Sequence, residues 1–135
     1  MRYHMIKCLT TFFLLFSSPL FAYTKTTYMV AMRDSIQLAT DVYLANSQGK
    51  WPTLLVRTPY GKSENPLIEF IAVYLTGQGY AVVIQDTRGR FASQGGDSLF
   101  LDDGWGDRQD GYDTVEWIAK QSWSNQKVGT LGASA

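Results

Sequence analysis

The sequence predicts an α/β fold built on a largely parallel sheet. Three observations carry that expectation: an opening pair of stretches that read as a β-hairpin, short continuous apolar runs later on, and helical periodicity between those runs. The resulting order is hairpin, strand, helix, strand, helix, strand.

Residues 26–32 and 36–44 are rich in β-branched and aromatic side chains and alternate in part, with Arg33-Asp34-Ser35 between them. In the second stretch Ile36, Leu38, Thr40, Val42 and Leu44 share one face, and Gln37 and Asp41 face away. A polar turn follows at 46–50. Residues 53–56 form an unbroken run, the mark of a strand covered on both faces. Residues 57–62 read as a loop beyond its carboxyl end. Pro66 suits a first helical position, and Leu67, Ile68, Ile71, Ala72 and Leu75 recur at helical spacing until Gly77 and Gly79. Residues 81–84 are a second buried strand, and 85–96 a long glycine-rich loop. A second helix follows residues 110–113, with Val115, Trp117, Ile118 and Thr114 facing inward and Asp110 or Asp113 as its cap. After a turn at 122–126, residues 128–131 read as a short buried strand. Without repeats or linkers, this is one domain or part of one.

Twelve basic and twelve acidic side chains among 135 residues leave a net charge near zero, which argues against a nucleic-acid partner. The first 22 residues stand apart from the rest. A basic start (Arg2, Lys7), an apolar run at 8–16 and a cleavage-like region at 17–22 have the layout of a secretory signal peptide cut after Ala22. The run is shorter than the ~20 residues of a membrane span. Export to the periplasm or outside the cell is the expectation, with no stable membrane span afterwards. Residues 23–135 then hold neither cysteine nor histidine, because Cys8 and His4 are the sole examples of each. Disulfides and thiolate metal sites are excluded from that part.

The chain leads up to Gly132-Ala133-Ser134. A G-x-S-x-G turn at the end of a strand lifts a serine above the sheet on a sharp strand-to-helix corner, as in α/β-hydrolases. Here Ala135 follows the serine, and the position of the pattern's second glycine falls outside the 135 residues. Other blocks point the same way: Met32-Arg33-Asp34, Ala39-Thr40-Asp41-Val42-Tyr43, Arg57-Thr58-Pro59-Tyr60-Gly61-Lys62, Gln85-Asp86-Thr87-Arg88-Gly89-Arg90-Phe91, the stretch 110–117 and the stretch 123–129. Taken in order from about Tyr28 to Ser134, they resemble the N-terminal part of the X-Pro dipeptidyl-peptidase and cocaine-esterase family of serine hydrolases.

That resemblance implies the N-terminal portion of an α/β-hydrolase domain over 23–135, ending at the nucleophile elbow. It implies Ser134 as the acylated nucleophile, Tyr60 as a hydroxyl donor to the oxyanion hole, and the backbone N–H of Ala135 as the second donor. Without it, Tyr60 reads as a loop aromatic lying on the core. The family pattern usually has Tyr where Ala135 stands, which leaves the N–H but not the side-chain contacts. The substrate would be a peptide, an amino-acid ester or an acylated small molecule, with no cofactor.

Other charged groups have plainer readings. Asp86, Arg88 and Arg90 suit an ion network that shapes the long loop better than a catalytic acid or anion clamp. Asp102, Asp103, Asp107 and Asp110 do not have the spacing of a calcium loop and read as a solvated acidic loop or helix cap, so no metal is expected. In this fold the triad's acid and histidine follow the serine. The expectation is therefore an incomplete domain, inactive alone, whose last strand becomes a sheet edge. The alternatives are a non-catalytic secreted binding or assembly module, and one half of a split enzyme.

Overall fold

The computed structural model describes residues 22–46 and 48–133; residues 1–21 of the expected leader, and Ser134 and Ala135, lie outside them. Five strands and two helices follow one another: β1 (Thr24–Ala31), β2 (Gln37–Leu44), β3 (Trp51–Thr58), α1 (Pro66–Gly77), β4 (Ala81–Asp86), α2 (Asp110–Ala119) and β5 (Ser124–Thr130). They make one α/β layer system around a sheet of order β1-β2-β4-β3-β5. β3 runs parallel to β4 and β5, joined through crossover helices as parallel strands require. The hairpin joins antiparallel, β1 to β2 and β2 to β4, so the sheet is mixed rather than largely parallel.

The hairpin's turn is closed by the N–H of Ser35 donating to Met32 O at 2.9 Å and that of Met32 donating to Ile36 O at 2.8 Å. Alternation along β4 then divides the core. Ala81 and Val83 pack with Val42, Leu55, Ile118 and Trp123 on the α2 face. Val82 and Ile84 pack with Tyr43 and Ala72 on the α1 face. All six residues of β4 are buried, which explains its unbroken apolar run. The face that Asp41 shares with Tyr43 is thus as buried as the opposite face of β2.

Asn65 caps α1 by accepting the N–H of Leu67 at 3.0 Å, a contact worth about 1 kcal/mol. Pro66 opens the helix, where its missing N–H costs nothing. The expected inward stripe of α1 holds only in part. Ala72 and Thr76 are buried, while Leu67 and Ile71 are exposed, together with Phe70 and Tyr74. Ile68 and Leu75 are half-buried against the same cluster as Ala72, so the stripe is narrower than expected.

Two further expectations are corrected. Neither Asp110 nor Asp113 caps α2: Gln109 takes the N-cap position in a left-handed conformation (φ 51°) without a side-chain cap bond. The last strand begins at Ser124, inside the expected turn, because the N–H of Trp51 donates to Trp123 O at 2.8 Å and starts the pairing early. It is also not buried. β5 is at the sheet edge, with Gly129, Thr130 and Leu131 exposed.

Candidate active site

The carboxyl ends of β3 and β4 and the segment after β5 place the candidate groups. β3 runs on through Arg57 and Thr58, and β4 through Gln85 and Asp86, so the loops start later than the apolar runs suggest. Their backbones stay in register, Arg57 opposite Gln85 and Thr58 opposite Asp86. The loop that carries Tyr60 therefore leaves directly beside the loop that follows Asp86. The N–H of Thr87 donates to Thr58 O at 3.1 Å and ties the two together.

Tyr60 is 57% exposed. Its backbone N–H donates to Thr58 Oγ1 at 3.1 Å. Gly61 follows in a left-handed turn (φ +90°) whose carbonyl accepts the N–H of Glu64 at 3.2 Å. After β5, Leu131 still pairs with the sheet, its N–H donating to Leu55 O at 2.9 Å. Tyr60 and Ala133, the residue before the candidate nucleophile, line one cavity of about 450 Å³. Its other walls include Ile68 and Ile71 of α1, Ile84 of β4 and Leu131, and they are largely apolar, with Arg57, Thr58 and Asn65 as polar members. Ser134 and Ala135 themselves lie outside the described residues.

Around this site the charged side chains form two groups. In the first, Asp86 is buried at the end of β4. Its carboxylate accepts the N–H of Lys62 at 2.7 Å and that of Ala92 at 3.3 Å. Burial pushes the Asp86 carboxyl above the usual range, against the pull of those two N–H groups. The Lys62 ammonium is buried too, 2.9 Å from Asp41 Oδ1. Asp41 also accepts the hydroxyl of Thr27 at 2.7 Å, and Lys25 stands 3.4 Å from its other oxygen.

The second group is centred on Arg88. Its guanidinium donates to both oxygens of Asp110, at 2.6 and 2.9 Å, and to both oxygens of Asp34, at 2.8 and 3.1 Å. The guanidinium beside Asp34 holds that carboxyl below the usual range. Arg33 does the same for Asp113, and Arg57 pairs with Asp103. The network expected around the long loop is present, but Asp86 binds backbone rather than arginine, and Arg90 pairs separately with Asp97 at 3.0 Å. Of the acidic residues 102–110, Asp103 and Asp107 are exposed as a solvated loop would have them, while Asp102, Asp103 and Asp110 also pair with arginines. Among the described residues, no group of histidine, cysteine, aspartate and glutamate is arranged to hold a metal ion.

The sequence reading missed Lys62 and Asp41 as a buried pair. One signal was present: an aspartate at the centre of β2 needs a cation once both faces of that strand are covered.

The family profile of X-Pro dipeptidyl-peptidase (S15 family) matches residues 34–135. Among curated relatives, cocaine esterase of Rhodococcus sp. (strain MB1 Bresler) is 42% identical over 114 residues, covering 78% of this chain and 18% of that protein. Two solved structures extend the likeness. An aminopeptidase from the marine sediment archaeon Thaumarchaeota archaeon superposes with a TM-score of 0.69 at 25% identity, over 99% of this chain and 24% of its own. An α-amino acid ester hydrolase gives 0.68 at 30% identity, over 93% and 24%. The chain thus spans about a fifth of the length of the curated relatives it matches.

Proposed function

The chain belongs to the X-Pro dipeptidyl-peptidase (S15) family of serine hydrolases, and from that premise we propose that it carries the nucleophile side of a site that cleaves an ester or amide through an acyl-enzyme on Ser134. The observation that carries the reading is that Tyr60 and Ala133 line the same cavity. This brings the segment leading into Ser134 to the loop of the proposed oxyanion donor.

In the first step the Ser134 Oγ bonds to the substrate's carbonyl carbon while its proton passes to a general base. The carbonyl π electrons move to oxygen, and the negative charge is met by the Tyr60 hydroxyl and the Ala135 N–H. Collapse of that intermediate expels the alkoxide or amine, which takes the proton, and leaves Ser134 acylated. Water then attacks the acyl carbon by the same route and frees the serine. Residues 23–135 contain no histidine to serve as that base, and the triad order of this fold puts it after the serine. A peptide, an amino-acid ester and an acylated small molecule all present the carbonyl this chemistry needs. Export through residues 1–22 would put the reaction in the periplasm or outside the cell. The outer edge of β5 favours a second reading, a module that assembles with a separate chain, which includes the split-enzyme case.

A serine-directed fluorophosphonate probe tests the proposal. The 135-residue chain alone should react negligibly, and joined or mixed with the later family segments it should be labelled. Ser134→Ala should then remove the label, and Tyr60→Phe should lower kcat by about 10²–10³-fold. Labelling that survives Ser134→Ala would overturn the assignment.

A further inference from the structure

We propose that Lys62 is a positioning residue that fixes the Tyr60 hydroxyl, held at its amide by Asp86 and at its ammonium by Asp41. The inference rests on the reading of Tyr60 as an oxyanion donor, but its structural half stands on geometry alone.

Tyr60 sits on a short loop between the end of β3 and the cap of α1, with its side chain largely in solvent. An oxyanion donor must be held to within about 0.5 Å to be useful. Thr58 Oγ1 secures the backbone ahead of the ring at 3.1 Å. On the far side Gly61 has no side chain to pack, so the next anchor is Lys62. That residue is gripped at two points. Its N–H is donated to Asp86 Oδ1 at 2.7 Å, and its ammonium reaches Asp41 Oδ1 at 2.9 Å. The two carboxylates come from different strands, β4 and β2, which are neighbours in the sheet. A loop held at one point can pivot about it; a residue held at its backbone N–H and again at its ammonium cannot.

Stability does not explain this pair. Burying a lysine and an aspartate costs more than a packed apolar pair of the same size. Asp41 would not be left alone without Lys62, because Thr27 and Lys25 also face it. The Asp86 carboxylate reaches further, its second oxygen accepting the N–H of Ala92 at 3.3 Å. The loop after β4 and the Tyr60 loop are thereby set against each other by one buried group.

The test uses the full chain with ¹³C-labelled tyrosine rings, the Tyr60 resonance being assigned by its loss in Tyr60→Phe. Lys62→Met should shift and broaden the Tyr60 signal, Lys62→Arg should restore it, and Tyr28 should stay in place. Tyr28 packs on Trp117, away from Lys62, and reports that the fold is intact. An unmoved Tyr60 signal in a folded Lys62→Met chain overturns the proposal. So does an equal disturbance of Tyr28, which would make Lys62 a general structural group. A kinetic arm on the completed enzyme separates the two readings. Lys62→Met should lower kcat about 10- to 100-fold at nearly constant KM, with little further loss when combined with Tyr60→Phe. If the Tyr60 signal responds but Tyr60→Phe leaves kcat unchanged, the oxyanion reading fails while the positioning contact stands.

Discussion

Gly61 and Gly89 show how far one residue type can differ in cost. Both have positive φ, +90° and +69°, where any side chain is strained by about 1–3 kcal/mol. At Gly61 an added Cβ would also meet Glu64 Cγ at 2.4 Å and the Phe91 ring edge at 2.9 Å. Both neighbours are side chains, and the Phe91 ring is mostly exposed, so they can move. At Gly89 the Cβ would meet Asp97 N at 2.3 Å and the Gly96 carbonyl carbon at 2.5 Å, which are backbone and cannot yield locally. Gly89→Ala should therefore destabilise more than Gly61→Ala, measured by urea unfolding. Gly61→Ala should instead show most in kcat of the completed enzyme, because it displaces the loop of Tyr60. Equal unfolding costs would mean that strain alone decides and the close approaches relax. Of the candidate site, Ser134 and Tyr60 are proposed from local sequence motifs. Lys62 and Asp41 are not legible in that way, because their meeting depends on β2 lying beside β4.

At the scale of elements, the arginine network ties the hairpin turn to the start of α2. Arg88 and Asp110 are both buried, so Asp110→Ala should cost about 3 kcal/mol by leaving a guanidinium short of a partner, read as a lower urea midpoint at unchanged slope. Asp34 would still hold it at 2.8 Å, with Asp102 farther off at 3.8 Å. The network also sets an acid limb. The carboxyls of Asp34 and Asp113 titrate below their ordinary value of 3.8, through Arg88 and Arg33 respectively. A depressed folded pKa gives stability that is complete above 3.8 and is lost as pH falls through the folded value. Asp86 runs the other way: raised by burial, it makes stability fall as pH rises above 3.8 towards its folded value. Asp34→Asn and Asp113→Asn should each lower Tm at neutral pH and flatten its fall below about pH 4, followed by thermal unfolding across pH 2–7. A slope unchanged in both would place the acid sensitivity elsewhere. The same residues explain which element boundaries were legible. Strand centres show in the sequence as β-branched runs, but Arg57, Gln85, Asp86 and Ser124 pair in the sheet by backbone while their side chains are polar. They read as loop. The cap of α2 is misread for a like reason, since Asp110 serves an arginine 22 residues away rather than its own helix end.

For the whole molecule, the decisive feature is that exposed apolar surface lies on the α1 side while β5 leaves a strand edge unpaired among the described residues. Phe70 and Tyr74 stand out from α1, while Ala72 beneath them touches the sheet. Phe70→Gln should change stability by no more than about 0.5 kcal/mol, whereas Ala72→Leu should cost about 1–3 kcal/mol through overpacking. Next to that face lies the apolar cavity, and beyond it β5, which pairs with β3 and with no other strand among the described residues. An unpaired strand edge beside exposed apolar surface recruits other chains unless charge or a bulge blocks it. Lys127 supplies one charge on β5, and Gln126, at a positive φ of 69°, bends its start. Neither reaches the last two residues of the strand. The 135-residue chain should therefore associate as its concentration rises, visible in sedimentation velocity as a growing fraction of larger species. Thr130→Lys should suppress this without loss of fold, since Thr130 is exposed and the neighbouring N–H of Leu131 is the one that bonds to β3. Phe70→Gln should help less if pairing through the edge is the cause, and more if the helix face is. A chain that stays monomeric at all concentrations would show that the fold already blunts its own edge, and would favour the stand-alone module over the half-site.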